Sequence, residues 1–302
     1  WNFNEGNGLV LNDQTSNNND GSIVGATWGE SSGSNNSFVY SPNYNYHGSD
    51  SFTYAVSDGS ATSEEATVSL TINSVIDKYY VASEGSDDNN GSSNSPFATI
   101  QAGINASDDS DTVFVATGTY PENINFNGKT IYLKGANAGN TIIDGGENGS
   151  AVKIIGGEGS GTTIRYFTIK NGLATNGGGV LVDNSSNLNL LDVIITGNSA
   201  DYGAGVSISD NSIVTIKNAL LYSNESVIQG GALYVSESSQ VSAISSTIAY
   251  NSVSGNSGSA SGNGVSIGTA SSFISNSSII WGNTGNFSQI NIPDPQFGGS
   301  AS

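Results

Sequence analysis

The strongest candidates for catalysis in this chain are two basic side chains and one carboxylate. Lys170, Arg165 and Asp192 fall within one stretch of a sequence that contains 7 lysines and arginines in total. A basic side chain that removes a proton from a sugar ring, while a cation neutralises the neighbouring carboxylate, performs β-elimination. These three residues are therefore a candidate site for proton abstraction. The alternative is that Lys170 and Asp192 form a surface ion pair on neighbouring strands.

Three acidic residues form a second candidate site, of a kind that would bind a metal. Asp183, Asp210 and Glu237 follow equivalent segments at intervals of 27 residues, although a strand-by-strand alignment offsets Asp183 by one place. Carboxylates stacked about 4.8 Å apart repel one another unless a cation lies between them, and oxygen ligands suit Ca²⁺. Ca²⁺ is the one cofactor that the sequence suggests. The alternative is that all three are solvated acids in turns.

Aromatic residues provide a third candidate site. Trp281 and Tyr222 share or adjoin one lateral column, and Tyr202, Tyr234 and Tyr250 could extend it. Exposed aromatic rings with an apolar face and a polar edge stack on sugars, so the set predicts a carbohydrate-contacting strip. The alternative is that some of these rings are packed.

A short pattern that returns four times between about Thr163 and Asn283 must position these residues. Glycine and small residues precede an apolar run that begins at Gly177, Gly203, Gly230 and Gly262. An aliphatic residue stands three places before an asparagine at Asn198, Asn224, Asn251 and Asn283. Both halves return after 26, 27 and 32 residues, so they belong to one repeating unit.

Repeats of this length bury their apolar face by stacking on their neighbours, which indicates a solenoid. Apolar residues alternate within each unit, as in Val206-x-Ile208, and β-branched residues stand between Asn, Gly and Ser turns. This pattern favours strands over helices. We therefore predict an all-β fold, a parallel β-helix whose coils each hold two or three short strands and rise by about 4.8 Å.

The four repeated asparagines are predicted to form a structural ladder. Asparagine tolerates a left-handed backbone in turns, and its side-chain amide bonds readily to the backbone. Asparagines stacked in register can also donate from each amide to the carbonyl of the next. We favour this ladder over a ligand-binding role for the set Asn198, Asn224, Asn251 and Asn283.

A short helix over residues 95–106 is predicted to cap the N-terminal end of the stack. Ser95 can be its N-cap and Pro96 suits its first position. One face of this helix would carry the apolar residues Phe97, Ile100 and Ile104. A cap is required because the first coil would otherwise expose an apolar cross-section and an unpaired strand edge.

The segments after this helix resemble the first coils of right-handed β-helix proteins of the pectate-lyase-like fold. They read Gly118-Thr-Tyr120, then Lys129-Thr-Ile131-Tyr-Leu133-Lys-Gly135, then Ile143-Asp144-Gly145. The repeats also resemble those of chlamydial polymorphic outer-membrane proteins, which carry Phe where this chain has Ile or Leu. The resemblance implies a right-handed β-helix over residues 78–292, followed by a tail over 293–302. The Gly-His-Gly of hydrolases with this fold is missing, because His47 is the only histidine.

The residues before the β-helix resemble two incomplete modules. Residues 1–36, with Asn17-Asn-Asn-Asp-Gly21, resemble the opening strands of laminin-G-like jelly rolls. Residues 37–77, with Asp50-Ser-Phe52 and Asp58-Gly59, resemble half of a cadherin-like or Ig-like module of bacterial surface proteins. Together they predict a partial β-sandwich-like leader. The resemblance implies calcium binding by acids such as Asp50, whereas Asp58-Gly59 alone indicates a hairpin turn.

The composition narrows the class of protein and its partners. The absence of cysteine excludes disulfides and thiolate chemistry, and no apolar run is long enough for a membrane span. The net charge of −19 disfavours nucleic acid and anionic membranes as partners. Abundant Asn, Asp, Gly, Ser and Thr fit a secreted or surface-displayed bacterial protein, although acidity also simply keeps a repetitive β-protein soluble. A start at Trp1 without any methionine indicates a segment of a larger surface protein.

Taken together, the sequence favours a non-catalytic extracellular module, namely an adhesin, a stalk or a carbohydrate-contacting module. Its expected partner is a polysaccharide or a cell-surface glycan. The alternative is a calcium-dependent polysaccharide lyase that acts on a uronate-containing polymer through Lys170 or Arg165. Enzymatic activity is therefore left open, with the non-catalytic function preferred.

Overall fold

The protein divides into two compact units, Trp1–Val75 and Ile76–Ser302. The computed structural model describes residues 10–11, 21–24, 37–40, 48–55, 60–72, 78–255, 262–286 and 288–291. The only helix among these residues is seven residues long, so no described helix has the length and apolar character needed to cross a membrane.

The strands of the first unit pair antiparallel in two small sheets. One sheet contains β1 (Val10–Leu11), β2 (Gly21–Val24) and β3 (Ser37–Val39), and the other contains β4 (Gly48–Tyr54) and β5 (Ala66–Ile72). Asp50 is buried in β4, where its carboxylate accepts hydrogen bonds from the Tyr40 hydroxyl and the Ser51 amide. Both of its oxygens therefore have partners inside this unit, while His47 and Asp58 lie outside the described residues.

The second unit is built from short strands and one helix. In chain order these are β6 (Lys78–Val81), α1 (Ile100–Ala106), β7 (Thr112–Val115), β8 (Gly118–Tyr120), β9 (Ile124–Asn125), β10 (Tyr132–Gly135), β11 (Thr141–Asp144), β12 (Val152–Ile154), β13 (Thr163–Arg165), β14 (Thr168–Lys170), β15 (Leu173–Asn176), β16 (Val180–Val182), β17 (Asn187–Leu191), β18 (Ile194–Thr196), β19 (Ser199–Tyr202), β20 (Val206–Ile208), β21 (Ile213–Lys217), β22 (Leu220–Tyr222), β23 (Glu225–Gln229), β24 (Leu233–Val235), β25 (Gln240–Ile244), β26 (Thr247–Ala249), β27 (Ser252–Val253), β28 (Val265–Ile267), β29 (Ser272–Asn276), β30 (Ile279–Trp281) and β31 (Ile290–Asn291).

These strands stack into four parallel sheets that the chain visits in turn. The first sheet is β6-β7-β10-β13-β17-β21-β25-β29 and the second is β8-β11-β14-β18-β22-β26-β30. The third is β15-β19-β23-β27 and the fourth is β9-β12-β16-β20-β24-β28-β31. Each strand pairs in parallel with its equivalent one coil further along the chain. The predicted all-β parallel β-helix is therefore confirmed.

The central coils hold four strands each, where the sequence predicted two or three. The additional strand belongs to the third sheet, and β19 is an example. Its sequence Ser-Ala-Asp-Tyr buries only Ala200, so it lacks the apolar alternation that marks the other strands. β19 forms a strand because it pairs with the strands of the neighbouring coils. The sequence of β19 alone does not indicate this pairing.

Apolar side chains that point inward form columns along the axis of the β-helix. One column contains Val180, Val206, Leu233 and Val265, all fully buried. Burial of such a side chain stabilises the fold by about 1.5–3 kcal/mol. Because every coil adds one member to each column, the core is continuous along the β-helix.

The four repeated asparagines stack inside the turn between the second and third sheets. The Nδ2 of Asn198 donates to the Oδ1 of Asn224 at 2.9 Å, and the same bond joins Asn224 to Asn251 and Asn251 to Asn283. Each amide also donates to a strand carbonyl of the preceding coil. At the last coil the Asn283 amide donates to the Oε1 of Gln289 at 3.0 Å.

The left-handed residue of this turn is the one before each asparagine, which corrects the sequence expectation. The positive φ angles belong to Gly197, Ser223, Tyr250 and Gly282. None of the four asparagines has a positive φ. The asparagine keeps an ordinary backbone because its side chain must point inward to reach the next coil.

A second polar ladder, not foreseen from the sequence, lies in the turn between the fourth and first sheets. The backbone amide of Ser186 donates to the hydroxyl of Ser212, and that of Ser212 donates to the hydroxyl of Ser239. All three serines are fully buried. Each coil thus satisfies a buried backbone N–H of the coil before it.

The capping helix begins at Ile100 rather than at Ser95, so the predicted N-cap was wrong. Thr99 is the N-cap, and its hydroxyl accepts from the Ala102 amide. The helix starts late because Phe97 pairs with the backbone of β6 before the chain turns. The buried residues of α1, which cover the first coil, are Ile100, Gly103 and Ile104.

Charged side chains from elsewhere in the chain hold both ends of α1. The Glu122 carboxylate accepts from the amides of Ile100 and Gln101 at 2.8 and 2.9 Å. At the other end, the Lys129 Nζ donates to the carbonyls of Ile104, Asn105 and Ser107. An anion at the N-terminus and a cation at the C-terminus match the free N–H and C=O groups of a helix.

Candidate functional site

The outward columns of the second sheet contain several of the candidate residues from the sequence. In order along the axis, one column consists of Asp144, Lys170, Thr196, Tyr222, Ala249 and Trp281. The parallel column on the same sheet consists of Ile142, Thr168, Ile194, Leu220, Thr247 and Ile279. The first of these columns passes from charged residues at one end to aromatic residues at the other.

The predicted pairing of Lys170 with Asp192 was wrong. The Lys170 Nζ lies 3.3 Å from the Oδ2 of Asp144, its direct neighbour on the adjacent strand. Asp192 instead accepts a 2.8 Å hydrogen bond from the Arg165 Nε. Asp192 immediately follows Leu191, which pairs with Arg165 on the adjacent strand. A turn separates Asp192 from the column that contains Lys170. Neighbouring positions therefore decide both ion pairs.

The electrostatics of these pairs suit charge pairing better than proton abstraction. The pKa of Arg165 is raised, mainly by a hydrogen bond to Tyr132 and secondly by one to Asp192. The Cζ of Arg165 also lies 4.4 Å from the centroid of the Tyr166 ring. Partial burial acts to raise the pKa of Asp144, but hydrogen bonds from Asn171, Gly146 and Lys170 outweigh it and lower that pKa. Arg165 therefore retains its proton, whereas a general base must be deprotonated so that it can accept a proton from the substrate.

The three acidic candidates for calcium binding occupy two adjacent columns. Asp210 and Glu237 share a left-handed turn position with Asn184. Asp183 lies one position earlier, where it accepts a 3.0 Å hydrogen bond from the Ser209 hydroxyl. Across the described part of the chain, no group of three or more His, Cys, Asp or Glu side chains could hold a metal ion.

The aromatic candidates form two separate pairs. Trp281 and its neighbour Tyr250 are 60% and 59% exposed, and their rings meet edge to face at 5.3 Å. Tyr202 and Tyr234 lie on the third and fourth sheets with ring centroids 5.2 Å apart. The second pair is half-buried, and burial raises the pKa of Tyr234. Only the first pair, with Tyr222 in the same column, presents exposed ring surface on one sheet.

The described strand and turn segments that carry Trp281 and its neighbours on the second sheet contain no charged residue. We call the outward residues of the last three coils of the second sheet, together with Tyr250, the aromatic face. Its members are Leu220, Tyr222, Thr247, Ala249, Tyr250, Ile279 and Trp281. No residue in 218–223, 245–250 or 277–282 is charged, although the chain has a net charge of −19. The exposed polar residues beside it are Asn218, Ser223, Ser245 and Ser277.

Ile279 belongs to this face but was not recognised from the sequence. It is 61% exposed, beside the inward-pointing Ile280 in β30. The signal was present, because Ile279-Ile280-Trp281 is apolar at every position of a strand with an exposed outer side. Ile279 and Trp281 therefore both expose apolar surface on the outer side of β30.

A pocket of about 430 Å³ lies on the first sheet and was not predicted from the sequence. Tyr80 and Phe114 stack there at 5.4 Å, and the Lys134 Nζ lies 5.4 Å from the Phe114 ring centroid. Three alanines, Ala82, Ala116 and Ala136, line the surface beside them. The aromatic rings of this stack are less exposed than Trp281, which is 60% exposed.

Comparison with known proteins bears on the two units differently. The bacterial Ig domain family matches residues 3–71, across the boundary between the two modules distinguished in the sequence. Such a domain is consistent with an extracellular or surface protein. No curated protein matches the chain. Among solved structures, it is similar to a pectin methylesterase from carrot, at 13% identity and a TM-score of 0.39, over 73% of this chain and 90% of that chain. The assignment of a parallel β-helix therefore rests on the strand order.

Proposed function

We propose that the protein is a non-catalytic module of a larger bacterial surface protein, and that its β-helix is a rigid stalk that contacts carbohydrate. The observation that carries this proposal is the aromatic face, where Trp281 and Tyr250 are exposed within an uncharged part of a strongly acidic chain. Aromatic rings with neighbouring hydroxyl and amide groups match the apolar faces and hydroxyl edges of sugars.

The interior of the β-helix supports the role of a stalk. The core columns and the two polar ladders run from coil to coil, so bending between coils would break several buried contacts together. The bacterial Ig match over residues 3–71, together with the resemblance of the repeats to those of chlamydial outer-membrane proteins, supports a secreted or surface-displayed location. In this proposal the first unit links the β-helix to the rest of a larger protein.

The lyase remains the rival function, and the described contacts favour it less. Lys170 is paired with Asp144, and Arg165 is paired with Asp192 and keeps its proton. Neither basic side chain is placed to accept a proton from a sugar. A lyase would also need a cation to hold the uronate carboxylate.

A panel of immobilised polysaccharides tests the proposal directly. We expect the protein to bind at least one of them and Trp281→Ala to weaken that binding about tenfold or more, as central aromatic residues do in interfaces. Ile274→Ala is the matched control, because Ile274 is 61% exposed on the first sheet of the same coil. Equal binding by Trp281→Ala, or release of an unsaturated product seen by its ultraviolet absorbance, would contradict the proposal.

Calcium binding by Asp210 and Glu237 is a separate proposal with its own test. The two side chains follow each other at one turn position in successive coils, about 4.8 Å apart. A bound cation would relieve their repulsion and raise the melting temperature. We expect calcium to raise the melting temperature relative to chelator, and Asp210→Asn to remove that rise. An equal melting temperature in calcium and in chelator would contradict calcium binding.

A further inference from the structure

The size of the outward residues alternates along the column that ends at Trp281. Tyr222 and Trp281 are large, and the residue between them is Ala249. The two aromatic residues are two coils apart, which corresponds to about 10 Å, twice the strand spacing. In the parallel column, Thr247 likewise separates Leu220 from Ile279. One coil with small outward residues therefore lies between two coils with large ones.

Ala249 is a small residue between two large ones in this column. It points outward, yet it is only 6% exposed. Its neighbours in the column are Tyr222 and Trp281. Trp281 is 60% exposed, so the column presents aromatic surface to solvent next to Ala249.

The polar residues at the border of the face are neutral hydrogen-bonding groups. Asn218, Ser245 and Ser277 lie at one turn position on one side, and Ser223 lies on the other side. All four are exposed, and the Asn218 amide also donates to the Asp192 carboxylate of the preceding coil at 3.3 Å. Because the face carries no charge to pair with a carboxylate or a sulfate, its chemistry suits an uncharged sugar.

We infer that the aromatic face binds a neutral, extended, β-linked polysaccharide that runs along the axis of the β-helix. In such a chain alternate sugars turn the same face to one side, and two sugar lengths are comparable to the spacing of about 10 Å between Tyr222 and Trp281. The two rings then contact every second sugar. This inference rests on the proposed carbohydrate contact and adds the charge, linkage and direction of the ligand.

Titration calorimetry with three hexasaccharides tests the charge and the linkage. The probes are a β-linked glucose hexasaccharide, its α-linked isomer, and the β-linked chain with its hydroxymethyl groups oxidised to carboxylates. We expect the neutral β-linked chain to bind about tenfold or more tightly than either of the others. Equal affinity for the α-linked or the oxidised chain would overturn the inference while leaving the proposed carbohydrate contact intact. Failure of every saccharide to bind would overturn both.

A change of ring spacing tests the geometry independently. Tyr222→Ala together with Thr196→Tyr keeps the number of rings but places them three coils apart, since Thr196 lies one coil before Tyr222 in the same column. We expect this variant to lose about tenfold or more in affinity for the β-linked chain while its melting temperature stays close to that of the parent. Unchanged affinity would overturn the inference, because ring spacing would then be irrelevant.

The same protein samples also test whether a second copy of the chain, rather than a glycan, occupies the aromatic face. Sedimentation of the unliganded protein shows whether two copies associate, and Trp281→Ala shows whether the aromatic face mediates it. A monomer at the concentrations of the titration supports a glycan as the ligand. Self-association that Trp281→Ala abolishes would replace the glycan by a second copy of the chain and overturn the inference.

Discussion

Two neighbouring columns of the β-helix differ in how their residues change from coil to coil. The buried column contains asparagine in four successive coils, at Asn198, Asn224, Asn251 and Asn283. The outward column of the second sheet lies two positions away along the chain. Over the same coils it contains Thr196, Tyr222, Ala249 and Trp281. The buried column has the same residue type in every coil, whereas the outward column has a different residue type in each.

The difference follows from what each side chain contacts. A buried amide must find hydrogen-bonding partners in the adjoining coils, so a substitution leaves polar groups unpaired. An outward side chain needs no such match, because solvent satisfies it. Residues that recur at the repeat length therefore report the architecture. Residues that depart from the repeat on an exposed face, such as Trp281, are where a function must be sought.

Aromatic truncation inside and outside the β-helix gives the largest expected contrast. Phe167 is fully buried in the core, so Phe167→Ala should reduce the free energy of unfolding by about 3–5 kcal/mol. Trp281→Ala removes a larger but exposed side chain and should change it by about 0.5 kcal/mol or less. Urea denaturation of both variants measures the contrast. Similar losses would show that the aromatic face is part of the core.

Truncation of a buried and of an exposed asparagine compares the inside and the outside of the β-helix with one residue type. Asn224→Ala removes an amide that bonds to Asn198, Asn251 and the Ile195 carbonyl. We expect a loss of about 3 kcal/mol, because two or more buried groups are left unpaired at about 1–3 kcal/mol each. Asn276→Ala, on an exposed position of β29, is the control and should change the free energy of unfolding by about 0.5 kcal/mol or less. Denaturation midpoints of the two variants that coincide would refute a stabilising role for the ladder.

The charged end of the outward column should give the smallest effect, and one that depends on pH. The pKa of Asp144 is lowered in the folded protein, so its stabilisation is present above the unfolded pKa of about 4 and is lost as the pH falls through the folded value. Asp144→Asn should reduce the free energy of unfolding by about 0.5 kcal/mol at neutral pH. The difference from the parent should vanish in strong acid. A difference that grows on acidification would contradict this assignment.

The sequence predicted the features that depend on periodicity. Alternating apolar residues such as Val206 and Ile208 indicated the strands, and the repeat length indicated their parallel stacking. Both signals are local or regularly spaced, so one sequence is enough to reveal them. The third sheet was missed because β19 lacks alternation and forms only through its neighbours.

Features that depend on which side chains meet across coils were predicted less well. The partner of Lys170 is Asp144 rather than Asp192, because a direct neighbour in the register is closer than a residue beyond a turn. The helix starts at Ile100 because Phe97 pairs with β6, and Glu122, which lies 22 residues after Ile100, accepts from its amide. Tyr202 and Tyr234 fall on other sheets than Tyr222, which only the path of the chain around the coil decides.

The direction of the asparagine ladder has a consequence for shortening the protein. Each amide of the ladder donates one hydrogen bond to the side-chain oxygen that follows it in the ladder, and Gln289 provides the last of these acceptors. A truncation after any earlier coil would leave one asparagine with its donor exposed and without a substitute for Gln289. Shortened versions will therefore tolerate removal of coils only if an equivalent glutamine is rebuilt at the new boundary.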